Sequence, residues 1–267
     1  MTGNEIESVR KSVPLVHCIT NYVTVNDVAN VVLACGGSPI MTDDTGEAAE
    51  IAAASGAVVL NIGTLNDRTV SAMQKAGKAA NQNAVPVVFD PVGAGASALR
   101  NRTVEKLLAE LDFTVIRGNL SEISFVAGIK ARTRGVDAGE ADRKNDAAAV
   151  ARAAAKKYGC IVVVTGAEDV ITDGEKLARV KNGVPEMSRV TGTGCMLSGM
   201  LGAYAAAAQD VFSAVVSAVA GMGIAGEIAY EKNGGAGTGS LRTGIIDALS
   251  RMDDETLGKR GRVTYEG

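Results

Sequence analysis

Cys160-Ile161-Val162-Val163-Val164-Thr165 is an apolar run with no polar residue between Ile161 and Val164. A strand wetted on one face alternates polar and apolar residues. A strand covered on both faces reads as a continuous apolar run, as in a parallel sheet between two helical layers. Similar short runs lie upstream at residues 13–19, 38–41, 57–62, 86–90 and 113–116. Segments with helical periodicity separate them: 23–35, 46–55, 67–81, 98–111, 121–127 and 146–158. Gly36-Gly37 supplies a stop signal for the first of these. Residues 169–172 and 176–180 flank Asp173-Gly174 and read as a β-hairpin. The remainder is mostly helical, at 194–208, 212–231 and 240–252. This order predicts an α/β fold, a mostly parallel central sheet with helices on both faces and right-handed crossovers. The polar stretch 132–144 marks no second core, so it is expected to be a surface loop in a single domain over residues 1–267.

Composition narrows the function. The 267 residues carry 27 Lys+Arg against 30 Asp+Glu, a formal net charge of −3. That leaves no basic footprint for nucleic acid. Five Tyr, four Phe and no Trp are too few for a base-stacking platform. At 46% hydrophobic with little net charge, the chain is not disordered in character. Its 32 Gly and its alanine clusters suit helices lying close to a sheet. The four cysteines show no CxxC spacing and His17 is the single histidine, which argues against a zinc site. Scattered cysteines of this kind are expected to be reduced and buried, pointing to a cytoplasmic location. Residues 1–11 lack the apolar core of a signal peptide. No apolar run reaches the ~18–20 residues of a spanning helix. Residues 211–228 come nearest, interrupted by Gly221, Gly223, Gly226 and Glu227, and read as a buried helix without membrane contact.

Ligands of such sheets bind beyond the carboxyl ends of the strands. Asp90-Pro91-Val92-Gly93-Ala94-Gly95 follows one strand. Gly93 to Ala98 fits GxGxxA, but the acid expected at the end of the next strand is missing, since Asp112 precedes its strand. A carboxylate beside a Gly-rich turn better suits a magnesium–phosphate site, because Mg²⁺ prefers oxygen ligands. The plainer alternative is that Asp90-Pro91 merely ends the strand. Arg117-Gly118-Asn119-Leu120-Ser121-Glu122 follows another strand. Arg117 suits phosphate, while Glu122 is open to two uses: partner of Asp90 around hydrated Mg²⁺, or capping-box partner of Asn119. Thr191-Gly192-Thr193-Gly194-Cys195 leads into a helix, whose N-terminus is a ready anion site. There the helix dipole is expected to lower the Cys195 thiol pKa, although a small buried thiol is the common alternative. Thr165 ends its strand and by itself is a generic junction. Met41 fits either an apolar pocket or the core, and His17 a structural or subunit-contact role.

In order along the chain, Asn21 with Ser38-Pro39-Ile40-Met41, Asp90 to Gly95, Arg117 to Glu122 and Thr191 to Cys195 closely resemble the hydroxyethylthiazole kinase family, from about residue 13 to residue 249. The resemblance implies a ribokinase-like fold and ATP-dependent, Mg²⁺-assisted phosphorylation of 4-methyl-5-(2-hydroxyethyl)thiazole in thiamine salvage. It implies a homotrimer with active sites at subunit boundaries. Met41, Asn21 and Gly192 would bind the thiazole, and Arg117 and Thr165 would bind ATP. Asp90 and Glu122 would hold Mg²⁺ directly or through water. Gly192, Thr193 and Gly194 would form an anion hole, with Cys195 as the base. Ala236 stands where the family pattern has Pro, which bears on loop stiffness rather than chemistry. The alternatives are a hydroxymethylpyrimidine kinase or ADP-forming hydrate dehydratase of the same fold, and a non-catalytic binder of small ligands.

Overall fold

The computed structural model describes residues 3–129, 140–233 and 235–266. Helix α1 (Glu5–Ser12) precedes strand β1 (Leu15–Ile19), helix α2 (Val25–Cys35) and strand β2 (Ser38–Ile40). Next come α3 (Ala48–Ala54), β3 (Ala57–Asn61), α4 (Asp67–Gln82), β4 (Val87–Asp90), α5 (Ala98–Glu110) and β5 (Val115–Asn119). Helices α6 (Leu120–Ala127) and α7 (Glu140–Tyr158) lead to β6 (Ile161–Thr165), β7 (Asp169–Thr172) and β8 (Leu177–Val180). After a short 3-10 turn at Pro185–Arg189 come α8 (Thr193–Ala207), α9 (Val211–Asn233), α10 (Thr238–Arg251), α11 (Asp254–Arg260) and β9 (Val263–Glu266). Residues 132–139 of the expected surface loop lie outside the described residues, and residues 140–144 correct the expectation, since α7 begins at Glu140 rather than at residue 146.

The strands form one sheet in the order β2-β1-β3-β4-β5-β6-β7-β8-β9. Pairing is parallel from β2 through β6 and antiparallel from β6 to β9. Strand alternation divides the apolar runs between two cores. Val59, Val88, Val115 and Val163 face one core, with α2, α8, α9 and α10. Leu60, Phe89, Ile116 and Val162 face the other, with α4, α6 and α7. This is why Ile161 to Val164 needs no polar residue.

Helix ends follow local chemistry. Gly36 closes α2 at φ 98°, a left-handed conformation that costs glycine little. The capping box of α6 uses the Asn119 and Glu122 side chains reciprocally. Most expected elements appear within two or three residues of their predicted limits. Three further findings correct the sequence reading. The strand predicted from residue 13 starts at Leu15, because Val13 is the left-handed cap of α1 (φ 45°). The polar N-terminal segment forms α1, burying Ile6 and Val9. The helical tail ends in β9, which pairs with β8 and extends the sheet. Ala236 sits between Gly235 and Gly237, both at positive φ, just before α10.

Helix α9 is long and apolar enough to cross a membrane by composition, but 83% of its most apolar window is buried in the protein. It is a core helix, as its interrupting glycines and Glu227 suggest. Helix α8 crosses the sheet on its small residues. A Cβ at Gly202 would come within 2.7 Å of Val59 Cγ2 and 2.9 Å of Val16 Cγ1. Gly202→Ala is therefore expected to destabilise by about 1–3 kcal/mol through overpacking. Gly258, inside α11, has nothing within 4 Å of its would-be Cβ. Gly258→Ala should instead gain roughly 0.5–1 kcal/mol of helix propensity. Urea unfolding of both variants checks the opposite signs.

Candidate active site

The strand order reverses at β1: the chain passes from β1 to β2 on one side, then to β3 on the other. The ends of β1 and β3 therefore flank a crevice, the usual ligand position in open parallel sheets. Asn21 follows β1 and Asn61 ends β3. Helix α8 packs across β1, β3 and β4, which brings its N-terminus to this crevice.

Cys195 lies in the first turn of α8, partly exposed. Its Sγ accepts N–H bonds from Asn21 Nδ2 (3.2 Å) and Asn61 Nδ2 (3.3 Å). Asn21 Nδ2 also donates to Asn61 Oδ1 at 3.1 Å, and Asn21 Oδ1 accepts from Thr24 N and Thr24 Oγ1. Asn61 Nδ2 also donates to Asp90 Oδ2 at 2.7 Å. The same carboxylate oxygen accepts from Ser198 Oγ at 2.7 Å and Arg117 Nη1 at 3.4 Å. Arg117 Nη2 in turn donates to Thr165 Oγ1 at 2.9 Å. One connected polar cluster thus holds Asn21, Asp90, Arg117, Thr165 and Cys195.

Gly192 precedes α8 at φ 86°, and no side chain caps this helix. The first intrahelical bond runs from Met196 N to Gly192 O at 2.8 Å. The amides of Thr193, Gly194 and Cys195 therefore face out of the helix end without an intrahelical acceptor. Gly192 is required by its φ and by Thr24, whereas at Gly194 a side chain would displace the Arg117 guanidinium. A Cβ on Gly192 would lie 2.3 Å from Thr24 Cγ2, and one on Gly194 2.5 Å from both terminal nitrogens of Arg117.

The other glycine turn behaves in the opposite way. The amides of Val92, Ala94 and Ala96 bond to carbonyls within the turn. Gly93 N donates to Glu122 Oε1 and Gly95 N to Asn101 Oδ1, both at 2.8 Å. Arg100 grips the carbonyls of Ile62, Gly63 and Val92. Every amide from Val92 to Ala96 is thus already taken, which weighs against the dinucleotide alternative at Gly93 to Ala98. Glu122 serves as the capping partner of Asn119 and as the tether of this turn. Among the described residues no three His, Cys, Asp or Glu gather as a metal cluster. Met41 follows β2, half-buried, and packs on the same core layer as Cys195.

The thiol corrects one expectation. Burial and the nearby Asp90 carboxylate push the Cys195 pKa up, outweighing the Thr24, Asn61 and Asn21 hydrogen bonds that lower it. The dipole argument alone had the opposite sign. Asp169, at the start of β7, is also raised, to about 6, by burial, although the Gly166 amide and Arg117 counteract this. Asn61, Thr24, Ser198 and Arg100 belong to the site and were not singled out from the sequence. Asn61 carried a signal: it is the polar end of an apolar strand, in register with Asp90.

A profile of the family described as "Hydroxyethylthiazole kinase family" matches residues 6–255. The hydroxyethylthiazole kinase of Ruminiclostridium cellulolyticum is 57% identical over 97% of this chain and 95% of its own length. That of Clostridium beijerinckii is 50% identical over 98% and 96%. The solved structure of the Pyrococcus horikoshii hydroxyethylthiazole kinase superposes with a TM-score of 0.89 at 36% identity, covering 98% of both chains. Pyridoxal kinase from Staphylococcus aureus shares the fold at a TM-score of 0.60 and 19% identity, over 77% of this chain and 85% of its own. The fold is ribokinase-like, and the chain belongs to the hydroxyethylthiazole kinase family.

Proposed function

We propose that the protein transfers the γ-phosphoryl group of ATP to the hydroxyl of 4-methyl-5-(2-hydroxyethyl)thiazole, as a step of thiamine salvage in the cytoplasm. The observation that carries this reading is the uncapped N-terminus of α8, with Cys195 in its first turn and Arg117 beside Gly194. Preorganised N–H donors in a dry crevice stabilise charge that develops during transfer. Gly192, Thr193 and Gly194 form the anion hole for the moving phosphoryl group. Arg117 and Thr165 hold ATP, since a guanidinium fork and a hydroxyl suit phosphate oxygens. Asn21, Met41 and Gly192 line the thiazole side, and Cys195 orients the substrate hydroxyl and accepts its proton.

The donor set fits Mg²⁺ at one corner. Asp90 is fully buried, and its Oδ1 has no partner. A buried carboxylate oxygen left bare is costly unless something occupies it. Asp90 would hold the ion, with Glu122 reaching it through water because both its oxygens already accept amide bonds. The ion would neutralise phosphate charge. The homotrimer with boundary sites is supported by Tyr22 and Val23, which stand 77% and 61% exposed directly after Asn21. The cytoplasmic placement is supported by four free cysteines, three of them buried.

ADP release should occur with the thiazole alcohol and not with a hydroxymethylpyrimidine. Release with the pyrimidine instead would assign another kinase of this fold, and no ADP with either would leave a binder. Light scattering should give three times the subunit mass, and a value near one subunit would reject the trimer.

Cys195→Ala should lower kcat by about 10²–10⁴, the usual contribution of a general base, while ATP affinity stays near that of the unmodified protein. A kcat within a few-fold would reject the base. The pH profile gives a second check. A raised thiol pKa means little thiolate at neutral pH, so kcat should climb through the alkaline range as the proton leaves. Cys195→Asp should stay active, and its rising limb should move to acidic pH. Identical profiles for the two proteins would sink the proton-acceptor role.

A further inference from the structure

His17 is the chain's one histidine, and the chemistry above leaves it unused. It is completely buried in β1. Val16 and Cys18 face the core under α8, while Ile19 faces the core under α4. By strand alternation His17 shares the face of Ile19. Its Nε2 lies 2.9 Å from the Thr42 carbonyl oxygen. A carbonyl only accepts, so Nε2 carries the proton and the tautomer is fixed. Burial pushes the imidazole pKa down, which keeps the ring neutral. Nδ1 is then a buried acceptor with no donor. An unsatisfied buried nitrogen is a cost that an apolar residue in the same strand would avoid.

The bond reaches beyond the sheet. The β1–β2 register pairs His17 with Ile40, the last residue of β2. Thr42 therefore lies outside the ladder, one residue after Met41. The other fastenings of this stretch lie nearer the surface: the Thr42 hydroxyl on the Glu47 carboxylate, Arg68 on Asp43 and Lys75 on the Thr45 carbonyl. Among the described residues, His17 is the one buried side chain that grips this segment from within the sheet.

We propose that His17 is a positioning residue for the substrate side of the site: it holds the Thr42 carbonyl so that Met41 keeps a fixed place at the crevice. The inference rests on Met41 touching the thiazole, as argued above. His17→Leu keeps the apolar bulk and removes the donor. His17→Gln returns an N–H donor at similar reach.

Hydrogen exchange and steady-state kinetics on the full-length protein test it together. In His17→Leu the amides of residues 41–47 should exchange about threefold to tenfold faster, the worth of one hydrogen bond. The KM for the thiazole alcohol should rise by a similar factor, with kcat and the KM for ATP within about twofold of the unmodified values. His17→Gln should restore both readouts. Unchanged exchange in 41–47 would overturn the anchor itself. Faster exchange with an unchanged thiazole KM would overturn its substrate role and would remove Met41 from the substrate contacts. A parallel rise in both KM values, or failure of Gln to rescue, would mark His17 as an ordinary core residue.

Discussion

The Asn61 carboxamide is the tie on which the rest of the site depends. Its Oδ1 accepts from the backbone N–H of Gly63 at 2.9 Å. A backbone amide can only donate, so the oxygen end is fixed and the NH₂ end must point to Asp90 and Cys195. A second backbone donor, Thr24 N, fixes Asn21 in the same way. Two main-chain amides thus set the direction of both carboxamides in the cluster. Both Asn21 and Asn61 must present N–H to the sulfur, and the other Asn61 N–H must go to Asp90 Oδ2 while Oδ1 stays bare. Connected networks hold geometry more firmly than isolated pairs.

The two glycine turns divide the labour at the carboxyl edge. The turn after β4 is closed by its own carbonyls, by Arg100 and by Glu122, so it is a rigid wall that fixes the backbone next to Asp90. The turn before α8 has no cap and leaves three amides facing the crevice. Two glycine-rich sequences that read alike as phosphate loops therefore differ in function. The difference lies in side chains, Asn101 of the following helix and Glu122 of α6 on one side and none on the other.

The fold was largely legible because parallel strands buried on both faces write themselves as apolar runs, and Ile161 to Val164 states this without ambiguity. Residues at strand ends were legible for the same reason, since Asp90, Arg117 and Thr165 break such runs. Strand β9 was not, because Val263 to Glu266 is mostly exposed and is made a strand by the neighbouring edge of β8 rather than by its own pattern. Helix α1 hid behind charge: it buries only Ile6 and Val9, and a β-branched residue in a left-handed cap gives no stop signal. The sign of the Cys195 shift was unreadable because it depends on depth and on Asp90, 105 positions away in sequence. His17 showed the limit from the other side: its place within a strand was visible, but its bond to Thr42 came only with the β1–β2 register.

The raised thiol pKa has its own electrostatic logic. Asp90 is buried with one bare oxygen, and Arg117 lies 3.4 Å from the other. An anion at residue 195 faces Asp90, and the repulsion between like charges at such range adds to burial in raising the thiol. A thiol is neutral at rest, so the crevice meets an incoming polyphosphate with the helix N-terminus and Arg117 as its positive features. The two carboxamides that donate to Sγ cannot offset burial in the resting site, yet they are already aligned for the charged sulfur. Once the thiol's own proton has left for solvent, the thiolate is held by both N–H donors at the helix N-terminus, and taking the substrate hydroxyl's proton returns it to the neutral thiol.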